Sequence, residues 1–174
     1  MKPIVFALAA ALPLAALTAC ETETAQATTA ETRQVDPIDR AAARYSITTS
    51  TVDFDETLRR LYEAIDRRDL TVFATVDHAA GARSVEMELP PATVIFFGSP
   101  RIGTSLMDAV PILSAELPLR AAVYRDKDGT VKVATTSATA LGRDYPVLRE
   151  QSDKLSAISA NLAALRAEAA GTDG

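Results

Sequence analysis

From Tyr45 onward the apolar and polar residues fall into recognisable periods. The stretch "YSITTSTV" is rich in β-branched residues with polar side chains at alternate positions, which predicts a first strand. Asp53-Phe54-Asp55-Glu56 then reads as a capping box, with Asp53 as N-cap and Glu56 three residues on. Phe54, Leu58, Leu61 and Ile65 follow on one helical face, and this helix should stop near Arg68-Asp69. Leu70, Val72, Ala74 and Val76 alternate against Thr71, Phe73 and Thr75, a second strand. "DHAAGARSVEMEL" has helical character despite Gly81, and "PPATVIFFG" restarts an extended apolar run. "LMDAV", after the loop Gly98–Ser105, opens another helix. Leu119–Tyr124 and Val131–Thr135 flank Asp126-Lys127-Asp128-Gly129, a strong hairpin signal. "SATALGRDYPVL" reads as a short helix ended by Gly142. Leu155, Ile158, Leu162 and Leu165 form an apolar stripe on a last helix stopped by Gly171. That helix either docks on its own domain or offers a short pairing surface to a second copy; its length is marginal for a free-standing coiled coil.

The predicted order is β-α-β-α-β-α-β-β-α-α. Mixed elements with an evident hairpin point to an α+β domain of two layers, helices packed on one face of a mixed, largely antiparallel sheet. The chain divides into a signal segment (1–19), a tether (20–44), the α+β domain (45–148) and a C-terminal amphipathic helix and tail (149–174).

The first segment is short and apolar behind Lys2, the pattern of a secretory signal. Leu17-Thr18-Ala19-Cys20 resembles the lipobox of bacterial lipoproteins. The resemblance implies cleavage before Cys20 and acylation of that residue; an ordinary signal cut after Ala19 is the alternative. Glu21, where an Asp favours retention in the inner membrane, implies the periplasmic face of the outer membrane. Inner-membrane anchoring and a soluble periplasmic form are the alternatives. The tether is rich in Thr, Ala and Glu and poor in large apolar residues, so it buries too little to offset its ordering entropy. If flexible, it reaches roughly 25–30 Å.

Charge and cysteine count exclude several classes. Lys and Arg number 18 against 23 Asp and Glu, and removing the segment with Lys2 leaves 17 against 23, a net charge of −6. No basic stripe is present, so nucleic acid is not expected as a partner. With Cys20 as the single cysteine, no intrachain disulfide and no cysteine-based metal site can form. No cofactor and no metal are expected.

"TVFATVDHAAGA", "ELPPATVIFFGSPRIGTSLM" and "ELPLRAAVYRDKDGTVKV" resemble, in order and spacing, the domain of unknown function 302 family over roughly residues 46–148. The block Phe97–Met107 and Leu117-Pro118-Leu119 are the most specific parts. The family commonly has Asn where this chain has Ser99. The resemblance implies a compact α+β domain, often dimeric, with no agreed activity, so a homodimer is an expected partner state.

"GSPRIGTS" (Gly98–Ser105) is one letter short of a phosphate-cradling loop: Thr104 stands where such a loop needs lysine, and Pro100 removes a donor. Nucleotide hydrolysis is not expected. Thr104 as N-cap of a helix starting near Ser105, with Arg101 and Gly103 beside it, would suit a small anion. The structural alternative is a tight strand-to-helix turn that binds nothing. His78, the single histidine, is a candidate ligand contact, base or metal ligand. Ser99 is a candidate contact but lacks the surroundings of a nucleophile elbow. These residues point to a lipid-anchored periplasmic module that binds a small ligand or a partner without catalysis. The alternatives are an enzyme using His78 as base beside the Gly98–Ser105 loop, and a metal or haem carrier using His78 with Met87 or Met107.

Overall fold

The computed structural model describes residues 43–172. The signal segment, Cys20 and nearly all of the tether lie outside the described residues. The strands among the described residues are β1 (Tyr45–Thr49), β2 (Thr71–Asp77), β3 (Ala92–Gly98), β4 (Leu119–Arg125) and β5 (Val131–Thr136). The helices among the described residues are α1 (Phe54–Asp66), α2 (His78–Arg83), α3 (Pro100–Ala109), α4 (Ala138–Asp144) and α5 (Ser152–Ala170). Short 3-10 turns follow α3 (Pro111–Ala115) and α4 (Pro146–Gln151). The fold is α+β, in the element order read from the sequence. The sheet order is β1-β5-β4-β3-β2, and every neighbouring pair is antiparallel.

The local chemistry follows the sequence closely at α1. Asp53 caps it, its carboxylate accepting from the Glu56 N–H at 2.8 Å. The second half of the capping box does not form: Glu56 binds Arg59 and Arg60 instead. The hairpin turn is held by the Asp126 N–H on the Thr130 carbonyl, with Gly129 at φ 86°, a conformation that favours glycine. Gly171 ends α5 at φ 67°.

One face of the sheet carries the core. Ile95, Phe97, Ala121, Val123 and Val133 on this face pack against Leu61, Ala64 and Ile65 of α1 and Leu162 and Leu165 of α5. α5 therefore docks on its own domain. The other face is more open: Ile47 and Tyr45 are exposed, and the Arg120 guanidinium lies 6.0 Å from the Tyr45 ring centroid. A second, smaller cluster of Leu106, Leu113 and Leu148 forms where β3 ends and β4 begins, and Ile158 packs against both clusters.

β2 is an edge strand whose residues are all exposed. A register shift between Val72 and Ala74 places a bulge at Phe73. As a result Phe73 and Thr75, the positions outside the apolar alternation, point to the helix layer. Phe73 enters the cavity described below, and the hydroxyls of Thr75 and Tyr62 are 2.8 Å apart.

Candidate functional site

The gap between the two apolar clusters is a cavity of about 770 Å³. It is a cleft open to solvent, since Phe73 and Ile102 in its wall are exposed. It falls within the range of small-molecule sites, about 300–1,000 Å³. Its walls come from the end of β3 (Phe97, Gly98), the bulge of β2 (Phe73), α3 (Ile102, Gly103, Leu106, Met107), the entry to β4 (Leu117, Pro118, Leu119) and α5 (Ile158, Leu162). The Leu117-Pro118 peptide is cis. Polar side chains in the lining are Arg68, Asp69, Ser99, Thr104 and Asn161.

Arg68 bridges α1 and α5. It donates to the Ala64 carbonyl at 2.8 Å and to both carboxylate oxygens of Glu168. Arg67 donates to Glu168 as well, at 2.7 Å. These bonds, with Arg68 the larger cause, hold the Glu168 carboxyl down at about 2, against an ordinary 4.5. Asp69 sits at φ 51° in the turn leaving α1 and is exposed at the rim.

The structure revises the reading of Gly98–Ser105. α3 begins at Pro100, so Ser99 is the N-cap position, and its hydroxyl makes no capping bond. Thr104 is not a cap; it and Gly103 lie inside the helix. The proline predicted to interrupt a phosphate cradle instead occupies the first helical turn, where its missing N–H costs nothing. Ser105 is taken up locally, donating to the Ile102 carbonyl at 3.2 Å and accepting from Lys154 at 3.1 Å. Arg101 is exposed and lies outside the cavity lining. Ser99, Gly103 and Thr104 line the cavity.

His78 is elsewhere. It opens α2, exposed, with Asp77 as its N-cap accepting from the Ala80 N–H at 2.9 Å. The β2–β3 register sets Asp77 opposite Thr93 and Thr71 opposite Gly98. His78 and the Gly98–Ser105 loop therefore stand at opposite ends of the strand pair, roughly 17 Å apart at about 3.3 Å per residue. A base must reach hydrogen-bond distance of its proton, so His78 cannot serve chemistry at this loop. Met107 lines the cavity, and His78 does not. Met87, though nearer in sequence, is exposed. Among the described residues no group of three or more His, Cys, Asp or Glu side chains is placed to hold a metal. The carboxylate pairs are committed to structure or open to water: Asp126 and Asp128 accept from Lys127 and Thr130 N–H groups in the turn, and Glu86 and Glu88 are exposed.

Sequence reasoning missed most of the cavity wall. Phe73 carried the one available signal, an aromatic side chain in the polar phase of β2. Met107 and Ile158 read as ordinary core positions.

Comparison with known proteins supports the fold. The crystal structure of an uncharacterised conserved protein from Bacillus stearothermophilus, described as DUF302, superposes with a TM-score of 0.63 at 19% identity, covering 72% of this chain and 98% of that one. Proteins from Brucella suis and Brucella abortus named "Fluoride-specific ion channel FluC 1" are 38% identical over 76 residues, 44% of this chain. The aligned stretch spans only 30% and 28% of those two proteins. Among the described residues no helix is long and apolar enough to cross a membrane. Residues 45–165, from the first strand into α5, match the family described as "Domain of unknown function DUF302", and the chain belongs to that family.

Proposed function

We propose that this protein is a non-catalytic binding module, anchored through Cys20 at the periplasmic face of the outer membrane, that holds a small apolar ligand in the cavity beside α3. The cavity carries the reading: a largely apolar space with a few polar groups is the usual form of a small-molecule site. Catalysis has no comparable support, because the single histidine lies at the far end of the sheet. Anchoring rests on the lipobox-like residues 17–20. Self-association belongs to the same proposal, and the open sheet face bearing Tyr45 and Ile47 is its natural surface. Ion conduction, which the names of the Brucella proteins carry, is not part of it: the likeness spans under a third of those proteins.

Native mass spectrometry of the protein released gently from membranes should show a small-molecule adduct, and a neutral apolar dye should saturate at one site per chain. Absence of both an adduct and dye binding would reject the ligand reading. Labelled fatty acid should be incorporated in the native chain and not in Cys20→Ser; equal labelling would reject the anchor.

A further inference from the structure

We infer that the cavity takes an uncharged single-chain lipophile, a molecule with one long hydrocarbon chain and a hydrogen-bonding head without formal charge, such as a monoacylglycerol. This deepens the ligand-binding reading and rests on it.

Size comes first. At about 30 Å³ per non-hydrogen atom, close to the share of a water in the liquid, 770 Å³ admits on the order of 25 such atoms. That suits one acyl chain with a small head and is too little for a two-chain phospholipid. The wall then sets the character of the chain: Phe73, Leu106, Met107, Leu117, Ile158 and Leu162 offer carbon and sulfur.

Charge decides the head. Arg68 and Asp69 are the charged side chains in the lining. Arg68 has turned its guanidinium to Glu168 and the Ala64 carbonyl, so an anionic head would have to compete with those bonds for it. A carboxylate or phosphate head would gain Arg68 only by breaking those bonds, and otherwise sheds hydration with no return. Asp69 is exposed at the rim, where its hydration leaves little to gain for an ammonium head. What remains is neutral: the hydroxyls of Ser99 and Thr104, and Asn161, which donates one amide N–H to the Ala157 carbonyl and keeps the other and its oxygen for a ligand. Hydroxyls and an amide oxygen match alcohol and ester groups.

The test uses the chain from residue 20 onward carrying Cys20→Ser, so that no acyl anchor of its own competes. Displacement of bound N-phenylnaphthylamine, a neutral apolar dye, is measured with monopalmitoylglycerol, palmitate and hexadecylamine below their micelle concentrations. Monopalmitoylglycerol should displace the dye, and the two charged molecules should be weaker by at least about tenfold. Gly103→Phe should abolish binding of all of them. A Cβ there meets only Leu117 Cδ1 at 3.8 Å, and the backbone is helical, so the ring fills the cavity without straining the chain. Ile102→Trp, from an exposed lining position, is a second filling variant should the first not fold. Equal or tighter binding of palmitate or hexadecylamine overturns the uncharged head while leaving the ligand site standing. Lipophile binding unchanged in both filling variants overturns the location. No dye binding at all overturns the underlying reading instead.

Discussion

Glu168→Gln is the substitution whose effect can be worked furthest. Glu168, near the end of α5, receives Arg67 and Arg68 from the end of α1, so three charges tie the two helices of the core layer together. Glu168 is 23% exposed and Arg68 18%. The carboxyl is held at about 2 in the fold against an ordinary 4.5. Each tenfold change in proton affinity is worth about 1.36 kcal/mol, so the ceiling on its contribution at neutral pH is about 3 kcal/mol. Partial exposure and the side-chain entropy of two arginines reduce that to about 1–2 kcal/mol. The sign follows from the depressed value. The stabilisation is fully present above about pH 4.5, where the unfolded carboxyl is also ionised, and is lost as pH falls toward 2. Urea denaturation of the native chain and Glu168→Gln should differ by about 1–2 kcal/mol at pH 7, roughly 4–8 °C in melting temperature for a domain of this size. By pH 3 the difference should fall below half. The variant also frees Arg68 at the cavity, so palmitate should bind it more tightly than it binds the native chain. A gap that stays constant from pH 7 to pH 3, or that is already below about 0.3 kcal/mol at pH 7, would refute the coupling.

Five further substitutions test the fold. Gly171→Ala should cost about 1–2 kcal/mol by urea denaturation, because φ is 67° and a Cβ would stand 2.8 Å from both Thr51 Oγ1 and Arg60 Nη1; an unchanged midpoint would show that the turn relaxes freely. Leu165→Ala, at a fully buried position in α5, should cost about 2–5 kcal/mol, whereas Val85→Ala, at a position 63% exposed, should stay within about 0.5 kcal/mol. Similar losses at the two sites would contradict the assignment of α5 to the core. Asp53→Ala should cost about 1 kcal/mol through the lost cap on α1, and Asp53→Asn should recover most of it; no recovery would point to charge rather than capping.

Where one local signal governs an element, the sequence was readable. Asp53 begins α1, Gly129 turns the hairpin, and Gly171 ends α5, each because a cap or a positive φ admits few residue types. The apolar stripe of α5 named Leu162 and Leu165, both buried. The start of α3 was not readable in the same way. Gly98 and Gly103 resembled a glycine-rich turn, but the second glycine is helical, and the Pro100 that seemed to spoil a loop opens the helix. The phase of β2 failed for a different reason: a bulge reverses which residues face the helices, and a bulge depends on pairing with β3, which no residue of β2 announces.

The distance between His78 and Ser99 shows why separate motifs could not be assembled into a site from sequence. Both follow strand ends, and both fall in blocks that resemble one family, which invited placing them together. In an antiparallel pair, however, the end of one strand lies beside the beginning of its neighbour. β2 ends at Asp77 opposite Thr93, near the start of β3, while β3 ends at Gly98 opposite Thr71. The loops after two successive antiparallel strands are thereby sent to opposite ends of the sheet. What the topology does bring to the Gly98 end is the entry to β4, because β4 runs back along β3 and pairs Leu119 with Phe97. Leu117 and Leu119 therefore face α3 across the cavity, and α5 closes it with Ile158 and Leu162. The two blocks most specific to the family, Phe97–Met107 and Leu117–Leu119, are distant in sequence but form facing walls of one space. Both blocks contribute to the wall of the cavity, while His78 stands at the other end of the sheet.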